Sequence, residues 1–534
     1  MNPKIRDVAY TSSEAASKTL SNMHLSNSLL FSPNQLSVSL SLSSNTRPSH
    51  TFFTSLGSTQ HTPQRERERE MDNTLYDELL QEIFRRLPSS SSSSVSVVCK
   101  RWLRLYRSST TALSLRFSPN SSLLPSLSSF LSHHPFLSSL SLSLSPPPPF
   151  SLSSHLLSLI SSSCPNLHSL TLTPSPLSLS SLLSLSTSCP HLNSLSITLS
   201  RPVLLNWLLS FPCLKHLSIF MSSESSHDDA EVDRDLESED SDAELGLESL
   251  CLVGIRGDDW RLGWLWERCT KLKRLKLQAC QAIGGSSSSF VKCLQGLQEV
   301  ELRTCRSVVD VVLLELLEHC SSLNSLLVHD GGSREGLLHF FSQFSSKVLK
   351  LDLRLPLDLN NHHLAALALN FRSLSNLRLQ SCCLVTGEGL KALGMAMSNG
   401  LEELALINCD VVEREPGLLA TLGQHLRQLK KLDLSHNEML LDKELISMLV
   451  SCVHLTDVKV RGCKGLTGVA MVCMLRSCKR LENVDIMHCF GIEADAVEMF
   501  VKNSSRLKRM EVEETKLSDA AKMWASNKFI QVVV

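Results

Sequence analysis

Apolar positions along most of this chain return about every 26 residues, in the spacing Leu-x-x-Leu-x-Leu-x-x-Cys or Asn. Clean copies are Leu272-x-x-Leu275-x-Leu277-x-x-Cys280 and Leu401-x-x-Leu404-x-Leu406-x-x-Cys409. Two more are Leu429-x-x-Leu432-x-Leu434-x-x-Asn437 and Leu481-x-x-Val484-x-Ile486-x-x-Cys489. Counted from the first apolar residue, copies begin at 137, 167, 192, 214, 247, 272, 297, 323, 348, 374, 401, 429, 455, 481 and 507. Gaps run from 22 to 33, and from 247 onward they stay between 25 and 28. Leu-x-Leu has period two and predicts a short strand. The stretch that follows predicts a helix, as in Asp310–His319 with Val311, Leu314 and Leu317.

A strand-plus-helix unit at this period is the signature of a leucine-rich repeat. One unit cannot bury its apolar edge alone, so the units stack into a curved solenoid with parallel strands on the concave side and helices on the convex side. Side chains alternate across a strand, so the leucines enter the core and the residues between them face out. The early copies offer Ser139, Ser141, Ser169, Thr171, Ser194 and Ser196 on that face. The later ones are charged: Arg274, Lys276, Glu299, Glu301, Arg303, Arg354, Arg378, Lys431, Lys459 and Arg461 form the candidate target-binding set. Such a chain holds another molecule along a surface rather than in a reaction pocket.

The front of the chain follows other patterns. Residues 1–70 are hydroxyl-rich without a sustained period, and disorder is expected there. They end in the alternation Arg65-Glu66-Arg67-Glu68-Arg69-Glu70 before Met71, which fits an upstream extension of the gene model; a transit peptide is the alternative. From Thr74 the pattern becomes helical. Thr74-x-x-Asp77 reads as a capping box. Leu75, Leu79, Ile83 and Leu87, with Leu80 and Phe84 beside them, make one broad apolar face ending at Pro88. Val95, Val98, Cys99 and Trp102 fall at i, i+3, i+4, i+7 and predict a second helix, with Lys100, Arg101 and Arg104 on its polar side. Two helices this short cannot bury both faces unaided, which implies a partner.

Two strings in this segment, Glu78-Leu-Leu-Gln-Glu-Ile-Phe84 and Val98-Cys-Lys-Arg-Trp102, closely resemble an F-box, over about residues 72–117. With cysteine-rich repeats behind it, the chain is similar to plant-type F-box/leucine-rich-repeat proteins. The resemblance implies a Skp-type adaptor as partner and, through it, a cullin–RING ubiquitin ligase with the repeats holding an unknown target protein. It implies that Leu75, Leu79, Leu80, Ile83, Phe84, Leu87, Pro88, Val98, Cys99 and Trp102 form the box core or its adaptor face, without separating the two. The usual Leu-Pro opening is Leu75-Tyr76 here, and a serine run stands between the helices. A repeat scaffold or signalling receptor whose helical cap merely resembles the box is the competing reading.

The expected fold is therefore α/β: a helical F-box at 72–117, then a solenoid over 118–534 with an insertion at 222–245. From Glu224 to Glu244 stand 11 acidic residues against Arg234 alone, which predicts a solvated, disordered loop. Ser238 and Ser241 lie within it in a setting that acid-directed kinases favour. Charge otherwise balances, with 52 Lys+Arg against 53 Asp+Glu, so neither nucleic acid nor an anionic membrane is an expected partner. No apolar run approaches the roughly 18 residues of a spanning helix.

Twelve of the 18 cysteines sit at two fixed places in the repeat. Cys280, Cys305, Cys382, Cys409, Cys463 and Cys489 end the Leu-x-Leu-x-x string, while Cys164, Cys189, Cys269, Cys320, Cys452 and Cys478 precede the first Leu by three. That placement predicts small buried thiols in a reducing compartment, hence nucleus or cytoplasm, rather than disulfides or zinc. Trp260, Trp264 and Trp266 are expected to pack a helix, and the pairs His133-His134 and His362-His363 to lie at the surface. No phosphate loop, metalloprotease or nucleophile-elbow motif occurs, so no cofactor, metal or catalytic residue is expected.

Overall fold

The computed structural model describes residues 37–39, 75–87, 92–118, 124–145, 150–222 except 202 and 204, and 243–534 except 258, 260, 261, 282, 284–287, 345, 346 and 357. Of the expected disordered front, only β1 (Ser37–Ser39) is described, and it is a strand running parallel to Ser114–Arg116, against that expectation. The rest of 1–70, Pro88, Pro146–Pro149, Trp260, the kinase-type serines Ser238 and Ser241 and nearly all of the acidic insertion lie outside the described residues. The chain divides into two compact units, residues 1–117 with 129–142, and residues 118–128 with 143–534.

The first unit holds helices α1 (Asp77–Arg86), α2 (Ser92–Val98) and α3 (Lys100–Ser109), then β2 (Ala112–Phe117). Helix α1 opens at Asp77 with Tyr76 at its N-cap and no side-chain cap; Thr74 of the expected capping box lies outside the described residues. One expectation needs correction. The expected second helix is two helices, because Cys99 is extended (φ −158°, ψ 167°) and its Sγ accepts the Trp102 N–H at 3.4 Å. A sulfur at an N-cap satisfies an otherwise orphaned donor and restarts the helix in a new direction.

After β3 (Ser139–Leu144), the second unit stacks β4 (Ser169–Pro176), β5 (Ser194–Leu199), β6 (His216–Met221), β7 (Ser249–Val253) and β8 (Arg274–Gln278). Then come β9 (Glu299–Arg303), β10 (Ser325–His329), β11 (Lys350–Arg354), β12 (Asn376–Gln380) and β13 (Glu403–Ile407). The last are β14 (Lys431–Asp433), β15 (Asp457–Lys459), β16 (Asn483–Asp485), β17 (Arg509–Glu511) and β18 (Gln531–Val533). From β4 onward each strand pairs in parallel with the next. The register is set by the leucines: Leu275 faces Val300, and Leu351 faces Leu377. All of them are buried between the sheet and the helix layer. Each such burial contributes about 2 kcal/mol, which sums along the stack.

The twelve repeat-placed cysteines are all buried. The position after the strand forms a cross-repeat rung. Asn437 Nδ2 donates to the carbonyls of Leu406 and Leu434, each at 2.8 Å, while its Oδ1 accepts the Cys409 N–H at 2.9 Å. Cysteine does the same more weakly: Cys463 Sγ donates to Leu434 O at 3.2 Å and Cys409 Sγ to Leu379 O at 3.5 Å. Burial pushes the Cys164 thiol up to about 11 and the Cys269 thiol up to about 12, which holds these two protonated.

The residue just before that rung takes a left-handed conformation in consecutive repeats: Gly254, Ala279, Thr304, Asp330, Leu355, Ser381, Asn408, His436, Gly462 and His488. Only two are glycine. The turn is imposed by its cross-repeat backbone bond, such as Thr304 N to His329 O at 2.8 Å, and not by local preference.

Two side-chain expectations are overturned. In the helix Arg306–His319 the buried face is Val308, Val309, Val312, Leu313 and Leu316, while Leu314 is exposed. His134 and His363 are buried, so each pair has one interior member. His363 Nε2 lies 2.9 Å from Arg334 O and its Nδ1 accepts the Asn360 N–H at 3.2 Å, using both nitrogens of the neutral ring at a helix start. Trp266 is buried edge-on against Phe290, as packing requires. Arg268 lies over Trp264.

Candidate functional site

The helices of the first unit resolve what the sequence pattern left merged. Leu80 (1% exposed) and Phe84 (5%) point inward and pack with Val95 and Leu105. Trp102 and Tyr106 close this small core, their rings 5.3 and 6.3 Å from that of Phe84. Leu75, Leu79, Ile83 and Leu87 point the other way, at 39%, 53%, 46% and 38% exposure. Leu79 and Ile83 are neighbours one turn apart on α1, and Leu75 and Leu87 flank the helix at its two ends, so the four make one exposed apolar stripe. Tyr76, Val97 and Val98 are exposed as well; Tyr76 and Val97 were not among the residues expected from sequence. Large apolar side chains aligned this way on so small a unit mark an interaction surface.

Hydrogen bonds with α3 tie α1 and its start in place. Arg101 reaches from α3 to α1, where its Nε and Nη2 bind Asp77 Oδ1 at 2.9 and 2.6 Å and its Nη2 also meets Leu75 O at 2.6 Å. This clamp ties α3 to the start of α1, a role that its place on a polar helix side did not reveal. Gln81 Nε2 donates to Ser108 Oγ at 3.0 Å along the same helix pair.

Residues 73–109 match the F-box domain. The chain carries an F-box. Its core is Leu80, Phe84, Val95, Trp102 and Leu105, and the F-box stripe is what lies outside that core. No curated protein matches the chain. Among solved structures, the Rad7 and Elc1 complex in yeast is similar at 16% identity and a TM-score of 0.44, covering 89% of this chain and 98% of that one. A leucine-rich repeat-containing protein of Legionella pneumophila is similar at 13% and 0.33, covering 46% and 84%. A leucine-rich repeat protein of Leptospira interrogans is similar at 13% and 0.31, covering 84% and 98%. Likenesses this distant add nothing to the reading; the repeat itself rests on the strand register and the F-box on its own residues.

The open face of the repeat sheet carries the second candidate surface. Across β9 to β15 lies a depression of about 420 Å³. Its rim includes Glu299, Glu301, Arg378, Lys431 and Lys459 from the sequence-derived set. Its floor includes Leu327 and Ala405, apolar residues at outward strand positions that sequence reading passed over. Small Ala405 leaves room for Arg378 to lie across β13 between Asp352 at 3.7 Å and Asp433 at 3.5 Å.

Arg274, Lys276, Arg303, Arg354 and Arg461 of the expected set are not part of its lining. Lys276 sits 3.9 Å from Glu301, and Arg303 binds Glu301 at 3.1 Å. Arg354 grips Asp352 through Nε and Nη2 at 2.9 and 2.7 Å. Lys431 pairs with Glu403 at 2.6 Å. Arg461 stands far along the sheet, bound to Asp485 and Glu511 at 2.9 and 2.6 Å; burial pushes the Asp485 carboxyl up despite that pairing. Arg274, Glu299 and Lys459 are exposed. Among the described residues no cluster of His, Cys, Asp and Glu could hold a metal, and no helix is long and apolar enough to cross a membrane.

Proposed function

We propose that this chain is the substrate-recognition subunit of a Skp–cullin–F-box ubiquitin ligase. The observation that carries the reading is the Leu75, Leu79, Ile83 and Leu87 stripe, exposed on a segment that matches the F-box domain. The stripe docks a Skp-type adaptor, which joins a cullin–RING assembly. The charged open face of the repeats, from Arg274 to Arg461, holds a target protein. The chain's contribution is position: a target lysine held near the charged ubiquitin carrier reacts at high effective concentration, and the bond-making groups belong to other subunits. Buried free thiols fit a reducing compartment, the nucleus or cytoplasm.

Co-expression of the full chain with a tagged Skp-type adaptor tests the reading. A stoichiometric complex that then recruits a cullin is expected. Failure of the folded wild-type chain to co-purify with any Skp-type adaptor would overturn it.

A further inference from the structure

The outward residues of the sheet fall into rows, because each strand pairs in register with the next. The row at the strand ends runs Phe220, Val253, Gln278, Arg303, His329, Arg354, Gln380, Ile407 across β6 to β13. It contains no carboxylate. Three consecutive strands place Arg303, His329 and Arg354 side by side at its centre, with a neutral glutamine on each flank.

The acidic partners of the two arginines lie one row further in. Arg303 uses Nε for Glu301, and Arg354 uses Nε and Nη2 for Asp352. A guanidinium has five N–H donors, so each retains an unused edge. Glu301 and Asp352 thus act as anchors that hold the forks in place. The two arginine side chains are about three-quarters buried (26% and 27% exposed). Charge-assisted bonds gain strength in such a setting.

His329 lies between them, half-buried, its ring without a hydrogen bond or ion pair among the described residues. Burial lowers its affinity for a proton, and Arg354 and Arg303 lower it further, against Asp330 and Asp352. Asp330 is itself bound by Arg306 at 2.7 Å. The imidazole N–H and the unused guanidinium edges are donors open to an incoming acceptor.

We infer that the Arg303–His329–Arg354 row receives an acidic peptide segment of the target protein, its Asp and Glu carboxylates taking the outer guanidinium edges and the imidazole. The row rests on the proposed target-holding role of the repeats and gives that role a chemistry. A target segment rich in Asp and Glu lies across the strands here, beside the depression whose apolar floor takes a neighbouring side chain.

The test uses the full chain and fluorescein-labelled octaglutamate and octaglutamine peptides in an anisotropy titration at low salt. Octaglutamate binds and octaglutamine does not, and the affinity falls as salt rises. The Arg303→Gln, Arg354→Gln double variant weakens octaglutamate by at least about tenfold. A charge-matched Lys479→Gln, Arg480→Gln variant, in the turn before β16, changes little. Should the double variant fail to fold, the His329 ring resonances of the wild-type chain decide, since octaglutamate must shift them. Equal binding of both peptides, indifference to the double variant, or unmoved His329 resonances overturn the inference. So does capture of a phosphoserine peptide in place of octaglutamate. Adaptor co-purification is measured on the same samples: peptide binding lost with the adaptor retained sinks only this row, and the reverse sinks the ligase reading.

Discussion

At the scale of single residues, this chain shows how a repeat overrides local preference. Thr304 is β-branched, exposed and left-handed (φ 50°), a conformation that costs an L-residue about 1–2 kcal/mol. Thr304→Asn is expected to stabilise the chain by about 1 kcal/mol in urea unfolding, since asparagine tolerates that region. The cysteines make a second residue-scale prediction. Exposed Cys213 and Cys383 should alkylate within minutes in the native state, whereas Cys269 and Cys478, buried and pushed up to about 12, should stay protected until unfolding. Mass spectrometry after timed maleimide exposure reads this directly. His363 gives the pH dependence. Its folded pKa is lowered, chiefly by burial, so its contribution is intact above about pH 6.5 and is lost as pH falls from there through the folded value. Melting temperature should therefore drop on acidification from pH 7.5 to 5.5, and His363→Gln should flatten that drop.

At the scale of elements, the strands and rungs were legible in the sequence because period two and the Cys or Asn position leave little choice. Helix faces were harder. Val308 to Leu317 is nearly all apolar, so several faces fit helical spacing, and packing against neighbouring repeats picks Val308, Val309, Val312, Leu313 and Leu316. The break at Cys99 was hidden for a related reason. Val95, Val98, Cys99 and Trp102 satisfy one helix as well as two, and only the Sγ bond to Trp102 N–H decides. The depression's floor escaped notice because Leu327 and Ala405 look like core residues until their strand phase is known. The rung carries the element-scale prediction. Asn437→Ala takes a donor from two buried carbonyls, of which Leu434 O keeps the Cys463 thiol, and leaves the Cys409 N–H without its acceptor, and should cost about 3 kcal/mol; Asn437→Cys, which copies neighbouring repeats, should cost less. Equilibrium unfolding of the two variants compares them.

At the scale of the whole molecule, a helical unit with an exposed apolar stripe is joined in sequence to a long charged sheet. The two surfaces differ in chemistry: one is apolar, the other charged and polar. The resemblance in the strings Glu78–Phe84 and Val98–Trp102 pointed to the first, and the structure divided its residues into core and face. The account's central claim is that the stripe, and not the core beneath it, is the adaptor's docking surface. The measurement that tests it most directly is calorimetric affinity for a Skp-type adaptor of the wild-type chain and of the Ile83→Asp, Leu87→Asp variant, with thermal unfolding of each in parallel. Both residues are about 40% exposed, so the variant should melt within a few degrees of wild type. The account predicts that adaptor binding is lost in that folded variant, as burying two unpaired carboxylates in an apolar interface demands. Undiminished affinity in the folded variant would contradict it.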